Sequence, residues 1–424
     1  MWKKLRQIWQ LPDLRNKILF VLAMLTIFRV AGHIPIPGVD VNNLRAFFRS
    51  NQILGLMNVF SGGTMENFSV VALGVAPYIT SSIIFQLLTM IIPRLEELSK
   101  EGEYGRQKIN QYTRILTVPL AALQGYGMIL LLRQSARPII ADISPLALAT
   151  TIATVVGGTI FLMWIGELIS EKKIGNGISL LIFAGIIASL PTAVQQALLT
   201  FDRGTVANWV LYAAIAIVTI VGVVIITQGT RNIPVSYAKR IRGMRMYGGT
   251  SSYLPLRVNM AGVIPIIFAI SIILFPPMVA QFFLRAKTQF VVALAQKVID
   301  IFQNQLVYGV IYFVLVVAFT YFYTAIIFRP DQIAEHLQKQ GGFIPGIRPG
   351  RPTVEYLGHT INRVISAGAL FLGVLAVMPL ALQQLTGSQA LTIGGTSLLI
   401  VVSVVIETVE QIESQLQMHE YETV

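Results

Sequence analysis

Long apolar runs and shorter polar segments alternate along the whole chain. Each apolar run holds roughly the 17–25 residues that an α-helix needs to cross the hydrocarbon core of a bilayer. The pattern therefore predicts an all-α polytopic membrane protein with ten transmembrane helices, the fifth of which is short and glycine-rich. The predicted spans lie near residues 18–36, 70–92, 115–132, 146–168, 178–196, 208–227, 260–283, 307–328, 364–383 and 391–410.

The composition agrees with this membrane class. Hydrophobic residues make up 54% of the chain and charged residues only 12%, and the mean hydropathy is +0.68. A soluble protein has about 25% charged residues. Cysteine is absent, which excludes disulfides, thiolate metal sites and cysteine nucleophiles.

The basic residues divide unevenly between the two sides that ten spans define. Of the 32 lysines and arginines, 23 lie before span 1 and in the loops after spans 2, 4, 6 and 8, whereas eight lie in the alternate loops. Cytoplasmic loops carry the excess of lysine and arginine in membrane proteins. Both termini are therefore predicted to be cytoplasmic, and this asymmetry explains the net charge of +12 without a nucleic-acid partner.

The loop lengths suggest two related halves. Loops of similar length recur after spans 1 and 6, after spans 2 and 7, and after spans 4 and 9, each time on opposite sides. With five helices in a half, the second half is inverted relative to the first, as in transporters whose working site lies at the midplane. We therefore predict an N-terminal half at residues 1–196 and a C-terminal half at 197–424.

Ionisable groups are scarce inside the predicted spans. Arg29 lies near the outer end of span 1, and Glu167, Glu407 and Glu410 lie near inner ends, where such side chains reach the interface. Carriers and pumps keep charged groups at mid-membrane. The chain also contains no metal-binding, nucleotide-binding or catalytic motif. These features favour a non-enzymatic protein without a cofactor, whose energy comes from a partner or a gradient; a secondary carrier for a small solute is the alternative.

Several spans contain branched aliphatic residues at helical spacing. Val75 and Ile79 are four residues apart, as are Ile178 and Ile182, so each pair is expected to share a helix face. On this pattern alone, ordinary packing is a commoner explanation than a pore lining. The polar residue Gln86 interrupts span 2, and Asn259 borders span 7. They serve either as links between helices or as a functional seam.

Two of the loops assigned to the cytoplasm have unusual compositions. Residues 228–258 combine basic residues, tyrosines and a Gly-Gly turn signal, which predicts a β-hairpin-like projection. Residues 328–358 contain "GGFIPGIRPG", in which prolines and glycines alternate around Arg348 and impose a defined non-helical path. A rigid basic loop of this kind favours docking of a partner.

The stretch "FSGGTMENFSVVALGVAPYIT" places a small, polar segment directly against an apolar helix that Gly74 and Pro77 interrupt. Glycine and proline both weaken helices. By its residues alone this is most simply an outer loop with a turn.

Several long motifs together resemble the SecY family of bacterial protein translocation channels. They are "FRVAGHIPIPGVD", "FSGGTMENFSVVALGVAPYITSSIIFQLL", "KEGEYGRQKINQYTR", "GNGISLLIFAGI", "LPLRVNMAGVIPIIFA", "GGFIPGIRPG" and "GGTSLLIVVSV". The resemblance runs from Arg15 to about Glu410, and its architecture of ten helices in two halves agrees with the one predicted above.

The resemblance implies a channel that passes unfolded secretory polypeptides across the bacterial plasma (inner) membrane. In the family, a ring of aliphatic residues closes the waist of the pore. Matched motif by motif, the ring falls on Val75, Ile79, Ile178, Ile182, Ile267 and Ile400.

The same resemblance assigns a plug, a short movable segment that fills the pore below the ring. Gly62 and Gly63 would supply its hinge, and its small residues would pack without anchoring it. The plug residues are Phe60, Ser61, Gly62, Gly63, Thr64, Met65, Glu66, Asn67 and Phe68.

Further roles follow from the family. Spans 2 and 3 would meet spans 7 and 8 at a lateral gate that contains Gln86 and Asn259 and releases apolar segments into the lipid bilayer. The motor ATPase SecA and the ribosome would dock on the two basic loops, and SecE and SecG would be membrane partners, with signal peptides and nascent or secretory polypeptides as the cargo. The docking residues would be Arg240, Arg242, Arg245 and Arg348.

Overall fold

The computed structural model describes residues 8–50, 58, 61–133, 139, 144–199, 206–237, 240–242, 245–247, 251–284, 288–386 and 394–422. This part of the chain is mostly helical. Its principal helices are α1 (Pro12–Ala31), α2 (Val41–Ser50), α3 (Ala76–Ile91), α4 (Pro93–Lys100), α5 (Glu103–Arg133), α6 (Pro145–Glu171), α7 (Gly177–Leu199), α8 (Val206–Gln228), α9 (Ile264–Phe283), α10 (Gln289–Gln303), α11 (Gln305–Ile327), α12 (Pro330–Lys339), α13 (Arg351–Thr386) and α14 (Gly394–Glu422).

Several helices can cross a membrane by length and composition. Among the described residues, four stretches qualify outright: Glu103–Arg133, Pro145–Glu171, Gln305–Lys339 and Arg351–Ala381. The bent pair α3 and α4 qualifies if it is counted as one span, and shorter apolar helices lie at Gly177–Pro191, Ala213–Gln228 and Ile264–Pro277. The chain is thus a multi-pass membrane protein, while the count of ten spans stays a prediction.

The second predicted span begins later than its apolar run. Residues before Ala76 form hydrogen-bonded turns, with Gly74 at φ +59°, and α3 starts only where Pro77 occupies the first turn. Proline is favoured there because the first amides of a helix have no intrahelical acceptor. Val75 is therefore the N-cap residue and not a member of the helix, which corrects the expected shared helix face of Val75 and Ile79.

The same span ends in a sharp bend. Ile92 adopts an extended conformation, with φ −98° and ψ 111°, because the ring of Pro93 disfavours helical geometry in the preceding residue. The chain turns by 102° there into α4. Hydropathy alone did not reveal this break.

The two unusual loops meet in one β-sheet. Its strands are β1 (Thr230–Tyr237), β4 (Ser251–Arg257) and β5 (Gly342–Phe343), in the order β4-β1-β5, and a separate two-stranded hairpin joins β2 (Arg240–Arg242) to β3 (Arg245–Tyr247). The predicted β-hairpin is therefore confirmed. The sequence did not predict that the second loop adds a strand to it, with Ser236 opposite Phe343 and Tyr237 opposite Gly342.

The helices pack in two groups with few connections between them. In the described part, α1, α3, α5, α6 and α7 contact one another, and α8 to α14 form a second set. The main packing between the sets is that of α9 against α3 and α5 and of α14 against α7. The largest apolar core contains side chains from both sets, so the interface between them is largely hydrophobic.

Candidate functional site

The six aliphatic residues assigned to the ring all join the largest hydrophobic core. Val75 caps α3, and the others lie in α3, α7, α9 and α14. Five are buried, from 0% exposed for Ile400 to 6% for Ile79, and the half-buried Ile178 packs against the same core. Four separate helices, two from each group, thus contribute branched aliphatic side chains to the core that both groups share.

The start of α7 is fixed by polar contacts. The Asn176 side-chain oxygen accepts hydrogen bonds from the amides of Ile178 and Ser179, at 3.1 and 3.2 Å, as is usual for an N-cap. The Gly177 amide donates to the Ser170 hydroxyl at 2.9 Å. These contacts join α7 to the end of α6 and fix the orientation of Ile178 and the next turn.

The segment assigned to the plug forms consecutive turns and is mostly buried. Phe60 lies outside the described residues, so the geometry concerns Ser61–Phe68. Met65 and Phe68 are 1% and 2% exposed and belong to a second hydrophobic core. Phe68 is one of only two non-glycine residues with positive φ in the described chain, at 42°.

A compact hydrogen-bond network gives this segment its shape. The Thr64 hydroxyl donates to the carbonyl oxygens of Ser61 and Val71, at 2.8 and 3.0 Å. The Ile36 amide donates to the Phe68 carbonyl at 2.9 Å. The segment is therefore joined to the chain that follows α1 by backbone pairing.

Two arginines also hold the segment. Arg29 of α1 donates from Nη1 to the carbonyl of Gly62 at 3.0 Å, and Arg45 of α2 donates from Nη2 to Oδ1 of Asn67 at 2.7 Å. The expectation that the small residues would pack without anchoring was therefore wrong. The sequence showed Arg29 only as an interfacial charge and gave no sign of its partner 33 residues away.

Gly185 of α7 is a contact residue that the sequence analysis missed. A Cβ atom added to Gly185 would lie 2.1 Å from the Cα of Gly62, closer than any side chain allows. The two backbones therefore meet directly. A pair of glycines 123 positions apart leaves no local pattern by which sequence alone could have identified the contact.

Gln86 and Asn259, assigned to the lateral gate, each contain a buried amide oxygen without a hydrogen-bond partner among the described residues. Gln86 donates from Nε2 to the Ser82 hydroxyl of its own helix at 3.2 Å. Asn259 is 6% exposed and precedes α9, the helix that packs against α3 and α5. A buried amide oxygen without a partner costs free energy, so these two positions weaken the packing around them.

Arg348 is exposed in the loop between β5 and α13. Its carbonyl accepts from the Thr353 hydroxyl at 2.9 Å, and Ile344, 3% exposed, inserts into a small core with Ile233 and Leu357. The loop is thus held in a fixed shape with its arginine in solvent. The other assigned arginines occupy strands, where Arg242 pairs with Arg245 and Arg240 with Tyr247.

The chain matches the SecY family model over residues 69–409. It is 46% identical to the protein translocase subunit SecY of Streptomyces galbus, over 97% of each chain. It is 47% identical to that of Mycobacterium bovis, over 97% of this chain and 96% of the relative.

Solved structures of similar fold agree with this match. A protein-conducting channel aligns with a TM-score of 0.64 at 16% identity, over 94% of this chain and 91% of that one. A SecY structure reported with a plug domain that stabilises the closed channel and maintains a membrane seal gives 0.63 at 18% identity, with the same coverage. Sec61 in a canine ribosome–channel complex gives 0.60 at 15% identity, again over 94% and 91%.

Proposed function

This chain belongs to the SecY family, and we propose that the six aliphatic residues described above form the constriction of its pore. It is a protein-conducting channel subunit of the translocase and not an enzyme. The observation that supports the proposal is that aliphatic side chains from α3 and α7 of the first group and from α9 and α14 of the second belong to one core.

The chemistry of the ring suits a polypeptide cargo. An unfolded chain presents every kind of side chain, and specific polar groups in the pore would bind some of them and stall transport. Branched aliphatic groups bind none strongly. A narrow apolar constriction also resists wetting and so resists ion leak.

The architecture we propose is that of ten transmembrane helices in two inverted halves, residues 1–196 and 197–424, with both termini in the cytoplasm of a bacterium and the spans in its plasma membrane. The distribution of basic residues supports the orientation. The grouping of helix contacts into two sets, which meet mainly at α9 and α14, supports the division.

The segment 60–68 is proposed to be the plug that fills the pore beside the ring. Its buried position and its turn structure support this role. The relative with a plug domain described as stabilising the closed state is consistent with it. Displacement would leave Ile79 in place, because α3 begins as a separate element at Ala76. Val75 would stay with it, because the Val75 carbonyl accepts from the Ile79 amide at 3.0 Å.

The contact of α9 with α3 and α5 is proposed to be the lateral gate, with Gln86 and Asn259 at its polar positions. A segment of about 20 apolar residues gains about 0.3–0.6 kcal/mol per Leu, Ile, Phe or Val on insertion. Polar bonds between membrane helices contribute only about 0.6 kcal/mol each. A seam whose two amide oxygens have no partner among the described residues can therefore be opened by the cargo itself.

The arginines of the β2–β3 hairpin and the exposed Arg348 are proposed to dock the partners that drive transport. Arg348, in a loop of fixed shape, fits a contact with the motor ATPase SecA. Arg240, Arg242 and Arg245 fit the phosphate-rich surface of a ribosome, where arginine adds salt-dependent affinity; the ribosome-bound Sec61 relative supports this partner. SecE and SecG are the membrane subunits that the family implies.

Cysteine cross-linking tests the pore assignment cleanly, because the chain has no native cysteine. Ile79→Cys and Ile267→Cys should form disulfides with a cysteine in a secretory chain stalled by the ribosome or the motor. The controls Ile217→Cys and Leu370→Cys, at 61% and 54% exposed positions of α8 and α13, should not. If positions 79 and 267 never cross-link to the stalled chain, the proposed pore is wrong.

A further inference from the structure

Gly62 lies at the centre of the plug's contacts with the rest of the channel. Its backbone is in the left-handed region, with φ +79°, which directs its carbonyl toward α1 and its Cα toward α7. The Arg29 guanidinium donates to that carbonyl at 3.0 Å. On the other side lies Gly185 of α7, and a Cβ added to Gly185 would stand only 2.1 Å from the Gly62 Cα.

We propose that Arg29 and Gly185 act together as a clamp that holds the plug closed by gripping Gly62. This inference rests on the proposed function of segment 60–68 and specifies what regulates it. Arg29 supplies a charge-assisted hydrogen bond, which is stronger than a neutral one. Gly185 has no side chain, so the Gly62 backbone can pack directly against α7. The hydrogen bond from Arg29 and the contact with Gly185 therefore both require Gly62 to be in the same position.

The chemistry of Arg29 favours this role over that of a free interfacial charge. Arg29 is only partly exposed, within the apolar sequence of α1, and a charged group in such surroundings is costly without a partner. The described residues include no carboxylate paired with it. The Gly62 carbonyl is thus a principal polar partner of the guanidinium, and moving the plug would leave the charge without that bond.

The position of Gly185 connects the clamp to the ring. Gly185 follows the ring residue Ile182 by three positions, so both lie on about the same face of α7. The clamp therefore joins two helices, α1 and α7, that both belong to the first packing group. When the two groups of helices separate, the plug should stay with the first group until the clamp itself is broken.

Resting ion conductance of the reconstituted channel complex tests the clamp. Gly185→Ala and Arg29→Gln should each raise the conductance about tenfold, equivalent to about 1.4 kcal/mol in the balance between plugged and open states. Gly157→Ala is the matched control, because that helical glycine has no neighbour within 4 Å of an added Cβ. It should leave conductance unchanged.

A channel without residues 61–67 separates the two ideas. Adding Gly185→Ala or Arg29→Gln to this deletion should cause no further leak, since there is no plug to release. If the deletion leaks and neither substitution does, the clamp is refuted while the plug stands. If the deletion itself is tight, the proposed plug is refuted.

A chemical probe covers the case in which Gly185→Ala disturbs folding. A single cysteine in place of Ser61, which is 3% exposed, should react slowly with a membrane-impermeant thiol reagent. Arg29→Gln should speed that reaction about tenfold, and Arg29→Lys, which keeps a donor, should speed it less. Equal rates in all three backgrounds would overturn the role of Arg29.

A different observation concerns α10, between two predicted spans. It is joined to α9 by residues 284–288 and to α11 by Asn304 alone. Its Ala295 and Ile299 are buried against Ala280 of α9. One side of α10 is thus packed against the protein, and about half of its circumference is exposed.

The exposed part of α10 divides into two sectors. Phe290, Leu294 and Ile301, which are 74%, 55% and 49% exposed, lie within about 40° of one another at 3.6 residues per turn. The next sector is polar and includes Gln296 and Asp300, whose side chains are hydrogen-bonded at 3.0 Å. Lys297 falls between the sectors by the same geometry.

We infer that α10 lies in the surface of the bilayer, with its apolar sector in the region between phospholipid headgroups and acyl chains. An amphipathic helix with separate apolar and polar faces binds that interface. The helix is joined to predicted spans at both ends, and its exposed neighbours Phe283 and Leu306 are also apolar. Lys297, at the boundary, is placed to meet headgroup phosphates.

Nitroxide labels on single cysteines test this placement in phosphatidylcholine vesicles that contain the complex. Labels at 290 and 294 should be relaxed strongly by oxygen, which enriches in lipid, and weakly by a nickel chelate, which stays in water. Labels at the controls 296 and 303 should show the reverse. Equal nickel access at 290 and 303 would refute the lipid contact. Protection of 290 from both reagents would also refute it, because protein would then cover that face.

Discussion

Two glycine-rich segments of this channel look alike in sequence but meet different constraints. Residues 61–74, which comprise the described part of the proposed plug and the turns that precede α3, and the loop 341–350 both contain glycines at positive φ. An added Cβ at Gly74 would lie 2.8 Å from the Cα of Ser61 in the proposed plug, whereas one at Gly346 would meet nothing within 4 Å. Gly74 is required because there is no room for a side chain, and Gly346 is required only for its backbone angle.

The difference shows how each segment is stabilised. The plug is held by contacts with other parts of the chain, through Arg29, Arg45 and Gly185. The loop is held by its own base, where β5 pairs with β1 and Ile344 is buried. A segment fitted into its neighbours can be released by moving them, while a segment supported from its base presents a constant surface.

Deletion of residues 61–67 should have the largest effect of the changes considered, measured as resting ion conductance. Removing a fitted segment opens the space that it fills, so resting ion conductance should rise by more than the roughly tenfold that loosening the plug would give. Export should persist, because the ring remains. Conductance recordings beside an export assay check this, and an unchanged conductance would mean that the ring alone makes the seal.

Arg348→Glu tests the opposite segment. Reversing the charge of this exposed residue, if it docks the motor as proposed, should cost roughly 2 kcal/mol or more in partner binding. Motor-driven export should then fall to a small fraction, with the protein still folded and inserted. Arg351→Glu is the control, since its side chain is 92% exposed and three positions away. Normal export by the Arg348 variant would contradict the docking role.

Alanine substitution of one glycine in each segment sharpens the comparison. Gly346→Ala should cost about 1–2 kcal/mol, the strain of a left-handed residue. Gly74→Ala should carry the same backbone strain and a further destabilisation of about 1–3 kcal/mol from overpacking against Ser61. The thermal unfolding temperature of the purified complex should therefore be lower for Gly74→Ala than for Gly346→Ala. The opposite order would show that the close approach of Ser61 does not exclude a side chain at position 74.

The smallest effect is expected from Arg45→Ala. Its hydrogen bond to Asn67 is exposed, and exposed polar contacts contribute only about 0–1 kcal/mol. Resting conductance should rise by less than about fivefold, well below the effect of Arg29→Gln. If the two variants leak equally, the plug is held evenly around its edge and not at one point.

Hydrophobic length predicted most of the membrane helices from sequence. The short fifth span, expected at 178–196, is observed at Gly177–Leu199. The same signal could not reveal that α5 starts at Glu103 or that α13 starts at Arg351, because their first turns are polar and continue a helix beyond its apolar part. Nor could it show the bend at Ile92, which depends on one proline.

For the candidate site, some residues could be assigned from the sequence, but the contacts between them could not. Aliphatic spacing alone could not distinguish Ile182 or Ile267 from ordinary packing, and only the resemblance of whole motifs assigned them to a ring. The contact of Gly62 with Gly185 depends on two distant backbones, and no local preference encodes it. Likewise, two residues of β5 are too few for a strand pattern, so the link between the two loops had to be observed.

The pairing of β1 with β5 brings together the two ends of the chain segment 238–341, which contains α9, α10, α11 and α12. Within that segment, α9 packs directly against α10 and α11. A displacement of α9 at the proposed gate would therefore be transmitted to α11 through these contacts, while the pairing of Tyr237 with Gly342 holds the ends of the segment together.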